Sequence, residues 1–230
     1  MKKIFILLFV SMISLSIFAQ QDELNSLMKE RNEFYFSFEI DDSQELSKIA
    51  EIISIDKIEG DKVIAYANNK SYDDFLSLGI ETTLLTPPSM LENHKMFDGR
   101  TRAEYDWDEY PTYEAYEAMM EEFAETYSEN CTLIELGTLN SGRKLLVVRI
   151  NNGETEGKPK FLYSSTIHGD ETTGYIMMLR LIETLLTQQD LPEVKNVLDN
   201  IDLFIAPNTN PDGTYHGGNH TVNGATRSNA

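Results

Sequence analysis

Apolar positions along this chain change period several times, and each change marks the edge of an element. Phe34 to Ile40 alternates apolar and polar as a strand does, and Leu46, Ile49, Ala50 and Ile53 then recur at helical spacing behind Ser43, a residue suited to an N-cap. Val63 to Tyr66 follows the turn signal Glu59-Gly60-Asp61 and predicts a hairpin; Tyr72 to Leu78 predicts a second helix and Ile80 to Leu85 a last strand. Thr86-Pro87-Pro88-Ser89 ends this run, and the polar stretch up to Tyr105 has the composition of a linker. Pro111 then opens a helix in which Tyr113, Tyr116, Met120, Phe123 and Tyr127 form one stripe and Glu114, Glu117, Glu121 and Glu125 the other, so the tyrosines read as core. Leu133 to Leu136 and Leu145 to Ile150 predict two strands joined by the turn-rich Gly137 to Arg143. Phe161 to Ile167 is a short apolar run of the kind a buried strand shows. A helix follows over 172–187, marked by Tyr175, Met178, Leu179, Ile182, Leu185 and Leu186, then the Leu191 to Leu198 segment and a strand over 201–206. Strand, helix and strand in that order imply a parallel pair with a right-handed crossover.

These segments divide the chain into 21–86, a linker over 87–104, and 105–230. Within the first, the order β-α-β-β-α-β over 33–86 fits a small α+β, ferredoxin-like fold. The second is α/β with a mixed sheet. At 230 residues, 41% hydrophobic and 10% aromatic, the chain has ample apolar material for a core. A net charge of −19 argues against nucleic acid and anionic membrane as partners, because such affinity comes from lysine and arginine displacing counterions. So much acid reads as solubility outside the cell; a preference for basic substrates would need a local acidic pocket.

The first residues change the picture further. Met1-Lys2-Lys3, an apolar middle from Ile4 to Val10, and Ile17-Phe18-Ala19 ahead of Gln20 make residues 1–20 a cleavable signal peptide, which implies a secreted or periplasmic protein. An uncleaved anchor is the alternative, although the segment is short for a span and broken by Ser11, Ser14 and Ser16. No cysteine follows it to carry a lipid. Cys131 is the sole cysteine, so no internal disulfide forms and an exported form relies on its core and metal.

The chemistry gathers where the Phe161 to Ile167 strand breaks into His168-Gly169-Asp170-Glu171-Thr172-Thr173-Gly174. This loop lies at the carboxyl end of its strand, where open α/β sheets place their sites. Imidazole nitrogen and carboxylate oxygen are both zinc donors, and a catalytic zinc takes three protein ligands with water in the fourth position; His168 and Glu171 give two. Taken alone, the same spacing also suits a polar loop entering a helix, with Glu171 favoured by the helix dipole. Two more motifs follow: Asn210-Pro211-Asp212-Gly213, then Ala225-Thr226-Arg227-Ser228-Asn229-Ala230.

The order H-G-D-E-T-T-G, N-P-D-G and Arg-Ser-Asn-Ala, preceded by a helix and a hairpin ending in G-x-x-x-x-G-R, resembles the zinc metallocarboxypeptidase family over roughly residues 105 to 230. The resemblance implies a phosphorylase/hydrolase-like mixed sheet, here in part, and zinc as cofactor. It makes His168 and Glu171 metal ligands, and Arg227 the catalytic and substrate-binding group that polarises the scissile carbonyl. Substrates would be peptide or protein C-termini. Family members continue with a G-x-D-L-N-R-N-like stretch that grips the terminal carboxylate, then the third ligand, a tyrosine and a glutamate general base. The sequence stops at Ala230. The expectation is therefore the N-terminal part of a carboxypeptidase, truncated before the second half of its catalytic domain, or a protein that has abandoned catalysis.

The position of residues 21–86 resembles the pro-segment of secreted carboxypeptidases, with a non-inhibitory accessory domain as the alternative. Arg100-Thr101-Arg102 would then offer a trypsin-like activation site. His216 and His220 lie in a Gly-rich loop that could reach the metal but read as exposed loop residues, and His94 sits in the linker without a partner. Gly217 and Gly218 would let this loop fold closely over the site. Two other functions stay open: a deacylase of small amino-acid conjugates, which shares the H-G-x-E loop, and a non-catalytic module binding peptide ends.

Overall fold

The computed structural model describes residues 21–40, 46–99 and 105–228. The signal-peptide segment, the Ser43 cap, the Arg100 and Arg102 pair, Asn229 and Ala230 lie outside the described residues. The chain forms two compact units that part between Pro88 and Ser89.

In the first unit residues 21–30 are helical (α1). There follow β1 (Phe34–Glu39), α2 (Leu46–Ile49), β2 (Ser54–Glu59), β3 (Lys62–Ala67), α3 (Asn69–Leu76) and β4 (Thr83–Leu84). The sheet runs β2-β3-β1-β4 with every neighbouring pair antiparallel. Gly60, at φ 64°, supplies the left-handed residue that the tight β2–β3 turn needs. Asn68 caps α3 by accepting from the Ser71 N–H at 2.8 Å. Phe36, Val63, Ala65 and Phe75 are fully buried, with Phe34 stacked on Tyr72 at 4.0 Å between ring centroids. The last strand is two residues rather than six: Thr83 and Leu84 lie in register with Ser37 and Phe36 of β1, and one further backbone bond, Leu85 N–H to the Tyr35 carbonyl at 2.8 Å, ends the pairing.

The second unit begins with what the sequence suggests is a linker. There α4 (Pro88–Leu91) is followed by β5 (Met96–Phe97), which pairs in parallel with β6 (Tyr110–Pro111). Ser89 Oγ donates to the Ala225 carbonyl at 2.6 Å, and the His94 N–H donates to Asn223 Oδ1 at 2.8 Å. Residues 89–97 look like a linker because polar groups, rather than apolar side chains, fasten much of the segment.

Beyond it come α5 (Tyr113–Thr126), β7 (Cys131–Thr138), β8 (Lys144–Ile150), β9 (Lys160–Ser164), α6 (Thr173–Thr187), α7 (Pro192–Asn200), β10 (Asp202–Ala206) and α8 (Pro211–Thr214). Thr112 caps α5, and Tyr116, Met120 and Phe123 are fully buried, as their stripe predicts. The sheet order is β7-β8-β10-β9; β10 is antiparallel to β8 and parallel to β9. The fold is mixed α/β, as expected. Arg149 holds Asp202, which is wholly buried, through Nε at 2.6 Å and Nη2 at 2.9 Å, and so ties β8 to the start of β10. One expectation needs correcting: β9 is not buried. Phe161, Leu162 and Tyr163 are 48%, 60% and 46% exposed, because β9 is the outermost strand of its sheet among the described residues and pairs only with β10.

Candidate metal site

The loop from β9 to α6 starts with strain. Thr166 is β-branched yet sits at φ 56°, a conformation such residues rarely adopt. It is buried, and its hydroxyl donates to the Glu171 carbonyl at 3.1 Å, which closes the loop upon itself. His168 Nδ1 lies 3.0 Å from Glu171 Oε1, and the Arg227 guanidinium donates to that same oxygen at 3.0 Å. The three residues singled out in the sequence thus meet at one carboxylate oxygen, although Arg227 is 56 positions away from Glu171. Their side chains are 37%, 55% and 15% exposed, so the pair of donors opens to solvent while the arginine is held against the protein.

The backbone brings them together. The Gly169 N–H donates to the Arg227 carbonyl at 3.1 Å, and a Cβ on Gly169 would lie 2.3 Å from the Gly213 carbonyl carbon. Gly213 belongs to N-P-D-G, which is one turn of helix capped by Asn210. Asp212 in that turn accepts from Arg143 Nη1 at 3.0 Å and from the Ser141 hydroxyl. Arg143 also donates to Asn219 Oδ1 and to the Tyr215 carbonyl, each at 2.9 Å, and lies over the Tyr113 and Tyr215 rings. The G-R and N-P-D-G motifs were legible as family markers; that they bond to each other was not, because 69 positions separate Arg143 from Asp212.

Beside Glu171 opens a cavity of about 370 Å³, walled by Glu92, His94 and Tyr110 on one side and by Asp170 to Gly174 on another. His94 has partners after all: Nε2 is 2.8 Å from Glu92 Oε2 and the ring lies 4.6 Å from that of Tyr110. Burial pushes the Asp170 carboxyl above its usual range, an effect the Arg227 charge opposes. His216 and His220 are exposed, and among the described residues no group of three or more His, Cys, Asp or Glu is placed to hold a metal. Gly217 serves its own loop: a Cβ there would come 2.7 Å from the Asn223 carbonyl oxygen.

The donors suit zinc in kind. Two ligand atoms on one tetrahedral zinc stand ~3.3 Å apart, given metal–donor distances of about 2.0–2.1 Å, and the imidazole nitrogen and carboxylate oxygen here are 3.0 Å apart. The set provides two of the three protein ligands that a catalytic zinc takes.

Comparison with known proteins agrees with the fold. The zinc carboxypeptidase family model matches residues 116–230, and the chain belongs to that family of hydrolases. Carboxypeptidase M of Mus musculus is 35% identical over 104 residues, which cover 44% of this chain and 24% of that protein. Zinc carboxypeptidase A 1 of Drosophila melanogaster is 31% identical over 129 residues, 54% of this chain and 29% of that protein. These matches span about a quarter of the relatives' length. Among solved structures, carboxypeptidase A from Helicoverpa armigera superposes with a TM-score of 0.56 at 19% identity, covering 86% of this chain and 53% of that one. Thrombin activatable fibrinolysis inhibitor gives 0.55 at 17% identity, with 86% and 54% covered. Coverage of 86% takes in residues of both units, and at these identities it establishes the fold alone.

Proposed function

We propose that this protein is an exported zinc-dependent carboxypeptidase that hydrolyses the last peptide bond of a peptide or protein, with the second unit carrying its metal loop. The observation that carries this reading is the convergence of His168, Glu171 and Arg227 on one oxygen in a chain of the zinc carboxypeptidase family. His168 through Nδ1 and Glu171 through its carboxylate would hold the zinc. Bound there, zinc supplies a water of lowered pKa and a Lewis acid for the scissile carbonyl. Arg227 places a fixed positive charge beside the ligands, where it stabilises negative charge developing on the carbonyl oxygen; losing one such donor costs ~100- to 1,000-fold in turnover. Gly169 holds the Arg227 backbone, so the arginine approaches from a set direction. The third ligand and general base of the family are not among the described residues at this site. The N-terminal unit, with strands and helices in β-α-β-β-α-β order, is read as a pro-segment. That the likeness to carboxypeptidase A from Helicoverpa armigera takes in residues of this unit supports that reading.

The test is release of free C-terminal amino acid from a peptide by the protein as its gene encodes it, with zinc and with a chelator. Zinc-dependent release that Glu171→Ala abolishes is expected. A protein that holds zinc through His168 and Glu171 yet releases nothing from peptides would instead be a binder of peptide ends. Hydrolysis confined to N-acyl amino acids would make it a deacylase.

A further inference from the structure

Asn210 touches neither candidate ligand, yet its side chain bonds to both segments that present the site. Nδ2 donates to the Ile167 carbonyl and to the Arg227 carbonyl, each at 3.2 Å, while Oδ1 accepts from the Gly213 N–H at 2.9 Å. The residue is 4% exposed, and its own N–H donates to Oδ1 of Asn208, which also accepts from Thr214 Oγ1. Ile167 immediately precedes His168, and Arg227 supplies the guanidinium on Glu171. One planar amide therefore holds the backbone on either side of the converging side chains. We infer that Asn210 is a positioning residue, setting the separation between the His168–Glu171 loop and the Arg227 segment; this rests on the reading of those residues as ligands and electrophile.

Chemistry restricts who could fill the place. Two carbonyl oxygens must be met by two N–H bonds from one group while a third atom of that group accepts, which a side-chain amide does and a carboxylate or a single hydroxyl does not. Space restricts it too. A Cβ on Gly213 would meet Asn210 Nδ2 and the Thr226 carbonyl oxygen, both at 2.7 Å, and one on Gly169 would run into Gly213. The two glycines let three segments close around the amide, and the amide keeps them registered. Groups bonded directly to metal ligands alter metal affinity by about 10- to 100-fold, and Asn210, which acts one step further back through the backbone, belongs at the lower end of that range.

Asn210→Asp separates the roles, because the carboxylate still accepts from Gly213 but turns an acceptor toward two carbonyls. In the full chain it is expected to keep the Gly213 amide protected from hydrogen exchange and to speed exchange at Gly169 by about ten-fold or more. Its zinc affinity, read by competition with a chromophoric chelator, should fall about ten-fold, the lower end of the range for groups bonded directly to ligands. Wild-type Gly169 protection and zinc affinity in a folded Asn210→Asp protein would overturn the inference, even if its melting temperature fell. Should that variant not fold, Gly169→Ala drives the same segments apart without touching Asn210; an equal loss of zinc affinity supports the inference and unchanged affinity overturns it. If His168→Ala leaves zinc binding unchanged, the ligand assignment fails by itself, and exchange at Gly169 still decides the role of Asn210.

Discussion

β9 and β10 lie side by side in parallel register, Lys160 opposite Asp202 through to Ser164 opposite Ala206, and both are apolar runs of similar length. Their burial is opposite. In β10, Leu203 and Ile205 are 4% and 0% exposed, whereas in β9 the three large apolar side chains are all close to half exposed or more. The residue types are alike, so the difference comes from neighbours: among the described residues β10 has a strand on each side and β9 on one. Sequence pattern reports the surroundings a strand is suited to, while its actual burial depends on segments far away in the chain. β9 is also the strand that leads into the candidate metal loop, so the site hangs from the less covered of the pair.

The comparison can be pressed hardest by matched truncation. Ile205→Ala should cost about 2–5 kcal/mol, as removal of a fully buried side chain does, and Leu162→Ala on the neighbouring strand about 0.5 kcal/mol or less. Denaturant melts of the two proteins would show it; equal losses would mean that β9 is covered in solution.

Charge gives the next contrast. Asp202→Ala removes a wholly buried carboxylate that accepts from Arg149 and Asn151, and, since the Arg149 guanidinium left behind is 31% exposed and can turn to water, should cost about 1–2 kcal/mol. Lys160→Ala, opposite it on exposed β9, should be silent within about 0.5 kcal/mol in the same melts.

At neutral pH, thiol chemistry sharpens the contrast with little effect on stability. Burial pushes the Cys131 thiol up to about 12. The folded state thus holds that proton more tightly than the unfolded one. Its contribution is fully present below the ordinary thiol range of about 8.5 and is lost as pH rises from there toward 12, with a slope of at most about 1.4 kcal/mol per pH unit. At pH 8 a thiol reagent should leave Cys131 untouched in native protein, while a cysteine introduced as Leu162→Cys should label at once. Labelling of both at one rate would contradict the burial difference across the sheet.

Much of this was readable in advance for a definite reason. The stripe of Tyr116, Met120 and Phe123, the parallel β9 and β10, and the pairing of His168 with Glu171 all depend on local spacing or on the order of adjacent elements. What escaped depends on partners distant in sequence. Nothing local in Ser89 or His94 marks them as fastened to Ala225 and Asn223, more than a hundred positions on. The N-P-D-G turn announces itself by its residues, but that Asn210 brackets Ile167 and Arg227 is a property of three segments meeting. The same holds for Arg143, whose carboxylate partner, Asp212, lies in another motif. Thr166 shows a further limit, since a β-branched residue at positive φ runs against its own local preference.

The most direct test of the account is zinc stoichiometry and affinity, measured by elemental analysis and chelator competition on the protein as its gene encodes it and on its single variants. The account predicts a bound zinc whose affinity falls by more than about ten-fold in His168→Ala and in Glu171→Ala, and stays unchanged in His94→Ala, His216→Ala and His220→Ala. Zinc that persists without His168 or Glu171, or that leaves when one of the other histidines is replaced, would contradict it.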